Sequence, residues 1–215
     1  MSPTEAATNR QGAAPLGRRE RNKLRVKERL YSSAITLFAE QGYDETSIDE
    51  IVERADVARG TFFNYFQRKE DLLGAWGEKR RDALLATLAA DGCGADSAVG
   101  QLRHCMTTLS RINEGHRQET NSLLMAWVRA GRPLLEDPYL AELFARIAGD
   151  GIRSGEFHTR FTADQIGHAL RDLYLGALYR WCGRPDAAPD QLAHELMGTL
   201  DLVLDGVQAA HGPRD

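Results

Sequence analysis

Between Ala58 and Leu73 the chain reads ARGTFFNYFQRKEDLL, and three of its seven phenylalanines, Phe62, Phe63 and Phe66, fall within five residues. Placed on a helix at roughly 100° per residue, residues 59–66 separate into two faces. Phe62, Phe63 and Phe66 share one, and Gly60, Thr61, Asn64 and Tyr65 share the other. A helix of two turns does not hold by propensity alone, so the first face supplies anchors, with Phe62 and Phe66 directed at preceding helices. The second offers a glycine that admits close backbone approach, two small hydrogen-bonding groups and a phenol. Those groups suit a DNA major groove, where base edges present donors, acceptors and thymine methyls. Arg59 at the start of the segment and Lys69 just after it are placed to meet phosphates.

The charge distribution supports this chemistry better than the net charge does. The whole chain carries a formal −4, but residues 1–81 hold 15 Lys and Arg against 13 Asp and Glu, while residues 82–215 hold 12 against 18. Within the first part, Arg18, Arg19, Arg21, Lys23, Arg25, Lys27 and Arg29 form the densest cluster, opposed only by Glu20 and Glu28. Such a cluster is either a solvated helix face or a source of phosphate attraction.

The positioning elements read as helices throughout. Apolar residues recur at three and four, glycines and prolines fall between segments, and no stretch alternates strictly as a strand would. The expected fold class is all-α, with an N-terminal three-helix, helix-turn-helix unit. Its first helix runs from about Asn22 to Glu40, with Val26, Leu30, Ala34, Leu37 and Phe38 on one face and Gly42 closing it. Thr46-Ser-Ile-Asp49 has the form of a capping box that opens a second, short helix carrying Ile48, Ile51, Val52 and Ala55. Residues 55–57 make the turn, and the opening stretch is the third helix. Further helices are expected from Glu70 to about Ala90 and over about 96–114, 117–130, 138–154, 163–182 and 190–209. Asp137-Pro138 and Pro189 serve as helix starts. Asp91-Gly-Cys-Gly94 lacks the Lys-Ser/Thr of a phosphate loop and reads as a linker.

Other classes are disfavoured. An apolar content of 42% beside 27% charged residues is that of an ordinary globular protein. No apolar run reaches the length of a membrane span, and the longest, Leu173–Tyr179, stops at Arg180. Residues 1–17 lack the pattern of a secretory signal and read as a disordered tail. Cys93, Cys105 and Cys182 have no metal-type spacing and suit reduced thiols in a cytoplasm. An enzyme is not expected on sequence grounds: there is no HExxH pattern, nucleophile elbow or phosphate loop, and neighbouring His104 and Cys105 diverge too far on a helix to chelate together. No cofactor and no metal are expected. A non-specific architectural DNA binder is the competing function, and it predicts steep salt dependence with little sequence preference.

The segment from Thr46 to Leu73, TSIDEIVERADVARGTFFNYFQRKEDLL, resembles the DNA-binding signature of the tetracycline-repressor (TetR) family, with a dense match over about residues 24–73. The resemblance implies a homodimeric transcription regulator, usually a repressor, that binds a double-stranded DNA operator and is released by a small-molecule effector. It further implies that Arg59, Gly60, Thr61, Phe63 and Asn64 face bases or nearby backbone. Thr46, Tyr65 and Lys69 take phosphate-contacting positions, and Ser47 joins them as a candidate DNA contact. Three residues depart from the family pattern. Asp56 stands at a usual turn glycine, Ala58 at a common capping serine, and Phe63 at a frequent tyrosine.

On this basis the chain divides into a basic-ended tail (1–20), a DNA-binding domain (21–68) and a larger helical ligand-binding and dimerisation domain (69–215). Ile166–Trp181 is apolar on more than one face, as is the final helix, and a helix buried on two sides needs two partners. In the resembled family these two helices form the dimer interface, which places Leu170, Tyr174, Gly176, Leu178, Leu196, Leu200 and Val203 there. His104, Asn121, Met125, Trp127, Phe144, His168 and Tyr174 are candidates to line an effector pocket. The acidity of residues 82–215 favours a cationic or neutral effector over an anionic one, although surface carboxylates produce the same count, and no ligand class is named.

Overall fold

Helix α1 spans Arg18–Gln41 in the computed structural model of the chain, which describes residues 17–90, 97–135, 139–184 and 186–208. It starts four residues before the expected Asn22. The run RRERNKLR contains no helix breaker, and Gly17 takes the extended N-cap conformation ahead of it. Residues 17–20 therefore belong to α1 or its cap rather than to the expected tail, whose first 16 residues lie outside those described. The exposed first turns carry the basic cluster, and Leu30, Tyr31, Ala34, Leu37 and Phe38 form the buried stripe. Gly42, at φ 92°, closes the helix with its N–H donating to the Phe38 carbonyl.

Helices α2 (Ile48–Arg54) and α3 (Arg59–Phe63) follow. The capping box sits one residue later than expected. Ser47 Oγ accepts from the Glu50 N–H at 3.2 Å, and Glu50 returns by accepting from the Ser47 N–H at 2.8 Å. Thr46 cannot cap because it still belongs to the preceding turn: its N–H donates to Tyr43 O, and its buried hydroxyl donates to Gly42 O at 2.8 Å. Asp56 adopts φ 50°, so the turn takes the left-handed conformation that the usual glycine would supply, and Asp tolerates it.

Helix α4 (Asp71–Ala90) lies in the same apolar core as Phe38, Ile51 and Phe62, contributing Leu72, Leu73, Trp76 and, further along, Leu84. Beyond it are α5 (Ala98–Gly115), α6 (Arg117–Arg129), α7 (Arg132–Leu135), α8 (Tyr139–Ser154), α9 (Ala163–Cys182) and α10 (Gln191–Gln208). The four-residue α7 was not expected, because so short a helix has no period to read. The expected linker at 91–94 and the helix start at Asp137-Pro138 lie outside the described residues. Every regular element among the described residues is helical, as expected. None is long and apolar enough to cross a membrane, and among these residues no His, Cys, Asp and Glu cluster could hold a metal.

The intimate pair is α8 and α9. A Cβ at Gly167 would lie 2.4 Å from the Ala141 carbonyl oxygen, so only glycine permits the two backbones to approach as they do. Helix α10 packs on α5 and α9. This arrangement corrects the expected dimer interface. Leu170, Tyr174, Leu178, Leu196 and Leu200 are buried within one chain, and Val203 packs partly on the same core. The apolar breadth of α9 is consumed by α8 and the other helices of its own protomer. Gly176, Gly198 and Leu202 are less covered: the first is half-buried, and the other two are exposed, Leu202 at 71%.

Candidate functional site

The outer face of α3 is built on the anchors beneath it. Phe62 is fully buried and Phe66 nearly so, their rings 5.7 Å apart. Phe63, which the helical wheel groups with them, instead stands 46% exposed, its ring edge-on to Phe62 at 5.5 Å. The short helix aims only one side at the core, and Phe63 falls at its margin. Arg59, Gly60 and Asn64 are exposed beside it, while Thr61 and Tyr65 are half-buried. Arg59 makes an ion pair with Asp49 in which both side chains are largely solvated, a contact of small worth that an incoming phosphate or base can displace. A Cβ at Gly60 would meet nothing within 4 Å in the chain, so nothing inside the protein requires a small residue there. Ala58 caps α3 without a side-chain hydrogen bond.

Lys69, expected on a phosphate, and Arg29, from the basic cluster, are internal clamps. Lys69 Nζ donates to the carbonyls of Tyr43 (2.8 Å), Asp44 (3.3 Å) and Thr46 (2.8 Å) and lies 4.4 Å from the Tyr43 ring centroid. An ammonium has three donors, and here they hold the α1–α2 loop. Arg29 Nη2 likewise donates to Ala55 O (2.6 Å) and Asp56 O (2.9 Å), fixing the turn ahead of α3. Thr46, buried and internally bonded, has no hydroxyl to offer DNA, whereas Ser47 beside it is exposed.

The second feature is a partly open cavity of about 80 Å³ lined by α4, α5, α6, α7, α8 and α9. Of the expected pocket residues, Trp127 and Tyr174 line it. The others point elsewhere: Phe144 is fully buried core, Met125 is 52% exposed, and His168 is exposed with its ring nitrogen 2.9 Å from the Asp164 carbonyl. His104 and Asn121 are half-buried away from the lining. The residues that sequence reasoning missed are Trp76, Arg80, Asn113 and Arg171, all in the lining. A signal existed, since Arg80 continues the stripe Leu73, Trp76, Leu84 and Asn113 continues Leu102, Met106, Leu109. A polar residue in register with a buried stripe is where chemistry enters a core.

Six polar side chains at the cavity, Trp76, Arg80, Asn113, Glu119, Thr120 and Tyr174, form one connected set. Arg80 Nη1 donates to Asn113 Oδ1 (2.9 Å) and Nη2 to Thr120 Oγ1 (2.6 Å). Asn113 Nδ2 donates to the Leu109 carbonyl (2.7 Å) and to Tyr174 Oη (3.0 Å). Trp76 Nε1 donates to Glu119 Oε1 at 2.7 Å, and that carboxylate lies 3.7 Å from Arg80 Nη2. Burial lowers the Arg80 guanidinium from its ordinary value and raises the Tyr174 phenol. The two charged side chains in the described lining, Arg80 and Arg171, are both cationic, which reverses the expectation drawn from the acidity of this half. The thiols of Cys105 and Cys182, by contrast, are pushed up to about 11 by burial and stay protonated near neutrality.

Residues 30–76 match the family model described as bacterial regulatory proteins of the tetR family. Over 88% of this chain and all of the matched one, the fold and 30% of the sequence agree with the FadR TetR-family transcriptional repressor of Thermus thermophilus, solved with lauroyl-CoA, at a TM-score of 0.64. The chain belongs to the TetR family. Its relatives include the repressor KstR of Rhodococcus jostii, 26% identical over 89% of this chain and 90% of that one. The regulator TcmR of Streptomyces glaucescens is 29% identical over 53% of this chain, a match that spans half of TcmR. As in TetR-family structures, an N-terminal helix-turn-helix unit precedes a larger helical part.

In this TetR-family chain, helices of the cavity wall are bonded directly to segments around the helix-turn-helix unit. Gln118 Nε2 donates to the Ala39 carbonyl (2.9 Å), Arg129 pairs with Asp44 (2.7 Å), and Arg132 Nη2 donates to the Glu70 carbonyl (2.8 Å). Helices α6 and α7, which contribute cavity wall, thus hold the end of α1, the loop after it and the start of α4.

Proposed function

We propose that the protein is a homodimeric cytoplasmic repressor that reads a palindromic operator through α3 and leaves it when a small molecule enters the cavity. Residues 21–68 would read DNA and 69–215 would bind the effector and the second protomer. The observation that carries this reading is the outer face of α3: Arg59, Gly60, Thr61, Phe63 and Asn64 stand outward on an anchor of buried phenylalanines, with no internal contact demanding Gly60. Ser47 and Tyr65 flank that face as phosphate contacts, and the exposed basic turns of α1 add unspecific attraction. Lys69 and Thr46 support the surface from beneath.

The second protomer is assigned to the outward side of α9 and α10. Gly176 and Gly198 admit close helix approach there, and Leu202 is the most exposed of the large apolar side chains described. Two-fold symmetry then sets the α3 helices about 34–36 Å apart, one turn of DNA. The effector reading rests on the cavity and on its bonded connection to the DNA-binding unit. It is supported by the Thermus thermophilus relative, which was solved with lauroyl-CoA.

Selection of bound duplexes from a random library at fixed near-physiological salt tests the proposal. Enrichment of a palindrome with half-sites one helical turn apart is expected. Retention without enrichment would instead support a non-specific architectural binder, and no retention would remove the DNA-binding reading altogether.

A further inference from the structure

The cavity's own chemistry narrows what can occupy it. Its walls are mostly apolar, with Leu109, Ile112, Trp127, Leu140 and Leu178 among them, and no Asp or Glu is among the described lining residues. Arg80 lies in this lining with its side chain only 15% exposed. Two of its three nitrogens are spent on the neutral acceptors Asn113 and Thr120. Its Nε is buried without a hydrogen-bond partner among the described residues. The nearest carboxylate, Glu119, stays at 3.7 Å, beyond hydrogen-bond reach, because Trp76 holds its Oε1 at 2.7 Å. A buried guanidinium remains charged, and a buried charge needs an opposite charge that is hydrogen-bonded to it. Arg80 pairs with Glu119 at 3.7 Å and lies 4.6 Å from the Trp76 ring centroid, but its hydrogen bonds among the described residues go only to neutral acceptors and its Nε–H is left open.

Arg171 adds a second cation to the same wall. Its Nη1 pairs with the adjacent Asp172, whose side chain is 64% exposed, and its Nη2 donates to the Pro133 carbonyl at 3.0 Å. A solvated pair between sequence neighbours is weak and exchanges easily. Two guanidinium groups would repel a cationic ligand, and a carboxylate would give the open Arg80 Nε–H a charged acceptor that a neutral ligand lacks.

Size sets the other limit. About 80 Å³ is several times the roughly 10–15 Å³ that accommodates one water, yet below the roughly 300–1,000 Å³ of pockets that enclose drug-sized ligands. We infer that the effector is a compact apolar carboxylic acid, its carboxylate received by Arg80 and Arg171 and its body by the apolar wall. This inference rests on the ligand-released reading above and names the ligand class for that same cavity.

The test uses the full chain, titrated by calorimetry and thermal shift with octanoate and phenylacetate, the primary amide and amine analogues of each, and lauroyl-CoA. The acids are expected to raise the melting temperature and to bind at least about tenfold more tightly than their amides. That preference should fall to near parity in Arg171→Gln and in Arg80→Gln. Arg171→Gln keeps the question open to refutation if the buried Arg80→Gln variant fails to fold. Equal binding of acid and amide, tighter binding of the amine, an undiminished acid preference in Arg171→Gln, binding of lauroyl-CoA alone, or no acid bound at roughly 1 mM would each overturn the inference. Operator binding by the unliganded protein is followed separately by fluorescence anisotropy. If the selected operator is bound but the acids are ignored, only the ligand class fails. Acid binding in a protein that selects no operator would remove the repressor reading and leave the anion-binding cavity standing.

Discussion

The α3 surface and the cavity solve opposite problems with the same kind of helix. At α3 a few large apolar side chains are buried so that small polar ones can be presented outward, and the whole device fits within one contiguous segment. In the cavity, polar side chains are placed inward among apolar ones, and the partners come from helices far apart in the chain: Arg80 on α4, Asn113 on α5, Thr120 on α6 and Tyr174 on α9. In the proposed roles, the first is a surface whose inner half carries stability and whose outer half carries recognition. In the second the same residues would do both, because a buried polar group must be satisfied if the core is to hold.

Substitutions that separate the inner and outer halves of α3 should break this comparison if it is wrong. The largest effect is expected for Phe62→Ala, which empties a fully buried ring position in a small core. It should cost about 3–5 kcal/mol in chemical denaturation and abolish DNA binding with it. Lys69→Ala removes a cation bonded to three loop carbonyls, so melting temperature and DNA affinity should fall together, by about 1.5–3 kcal/mol in stability. A loss of affinity with unchanged stability would return Lys69 to the phosphates. Asn64→Ala and Thr61→Ala should do the reverse: unfolding stays where it is, while discrimination between the selected operator and a mismatched duplex falls by about 1–3 kcal/mol.

Smaller effects sharpen the picture at α2. Ser47→Ala should cost about 1 kcal/mol by removing one arm of the capping box. The other arm brings a pH dependence. The Glu50 carboxyl is held below its ordinary value chiefly by the Ser47 backbone N–H. Its contribution is therefore complete above the ordinary carboxylate value and is lost as pH falls through the lowered one. Melting curves of wild type and Glu50→Gln should converge on acidification; curves that stay parallel would show that the carboxylate charge does nothing there.

Much of the DNA-binding unit was legible in the chain. The buried stripe of α1, the break at 55–57, the anchoring of Phe62 and Phe66 and the tolerance of Asp56 for the turn all follow from local spacing and residue type. What local reasoning could not see was the reach of the long cations. Lys69 reads as a phosphate contact and Arg29 lies in a cluster open to two readings, but both side chains reach carbonyls 26 residues away in sequence. The apolar stripes of α9 and α10 were equally plain, yet they were placed in a dimer interface when α8, α5 and each other cover them. Periodicity reports that a face is buried and is silent on which surface buries it.

The sequence by itself determined where most of the helices lie, which short helix presents a polar face and which family pattern it carries, because caps, turns and amphipathic spacing act over a few residues. Only the tertiary structure decided which cations are clamps and which leucines stay within one protomer. It also decided that Arg80 and Arg171 stand in a common cavity wall. Those outcomes depend on groups brought together from distant parts of the chain, and the electrostatic cost of burying a charge has no value until its neighbours are in place.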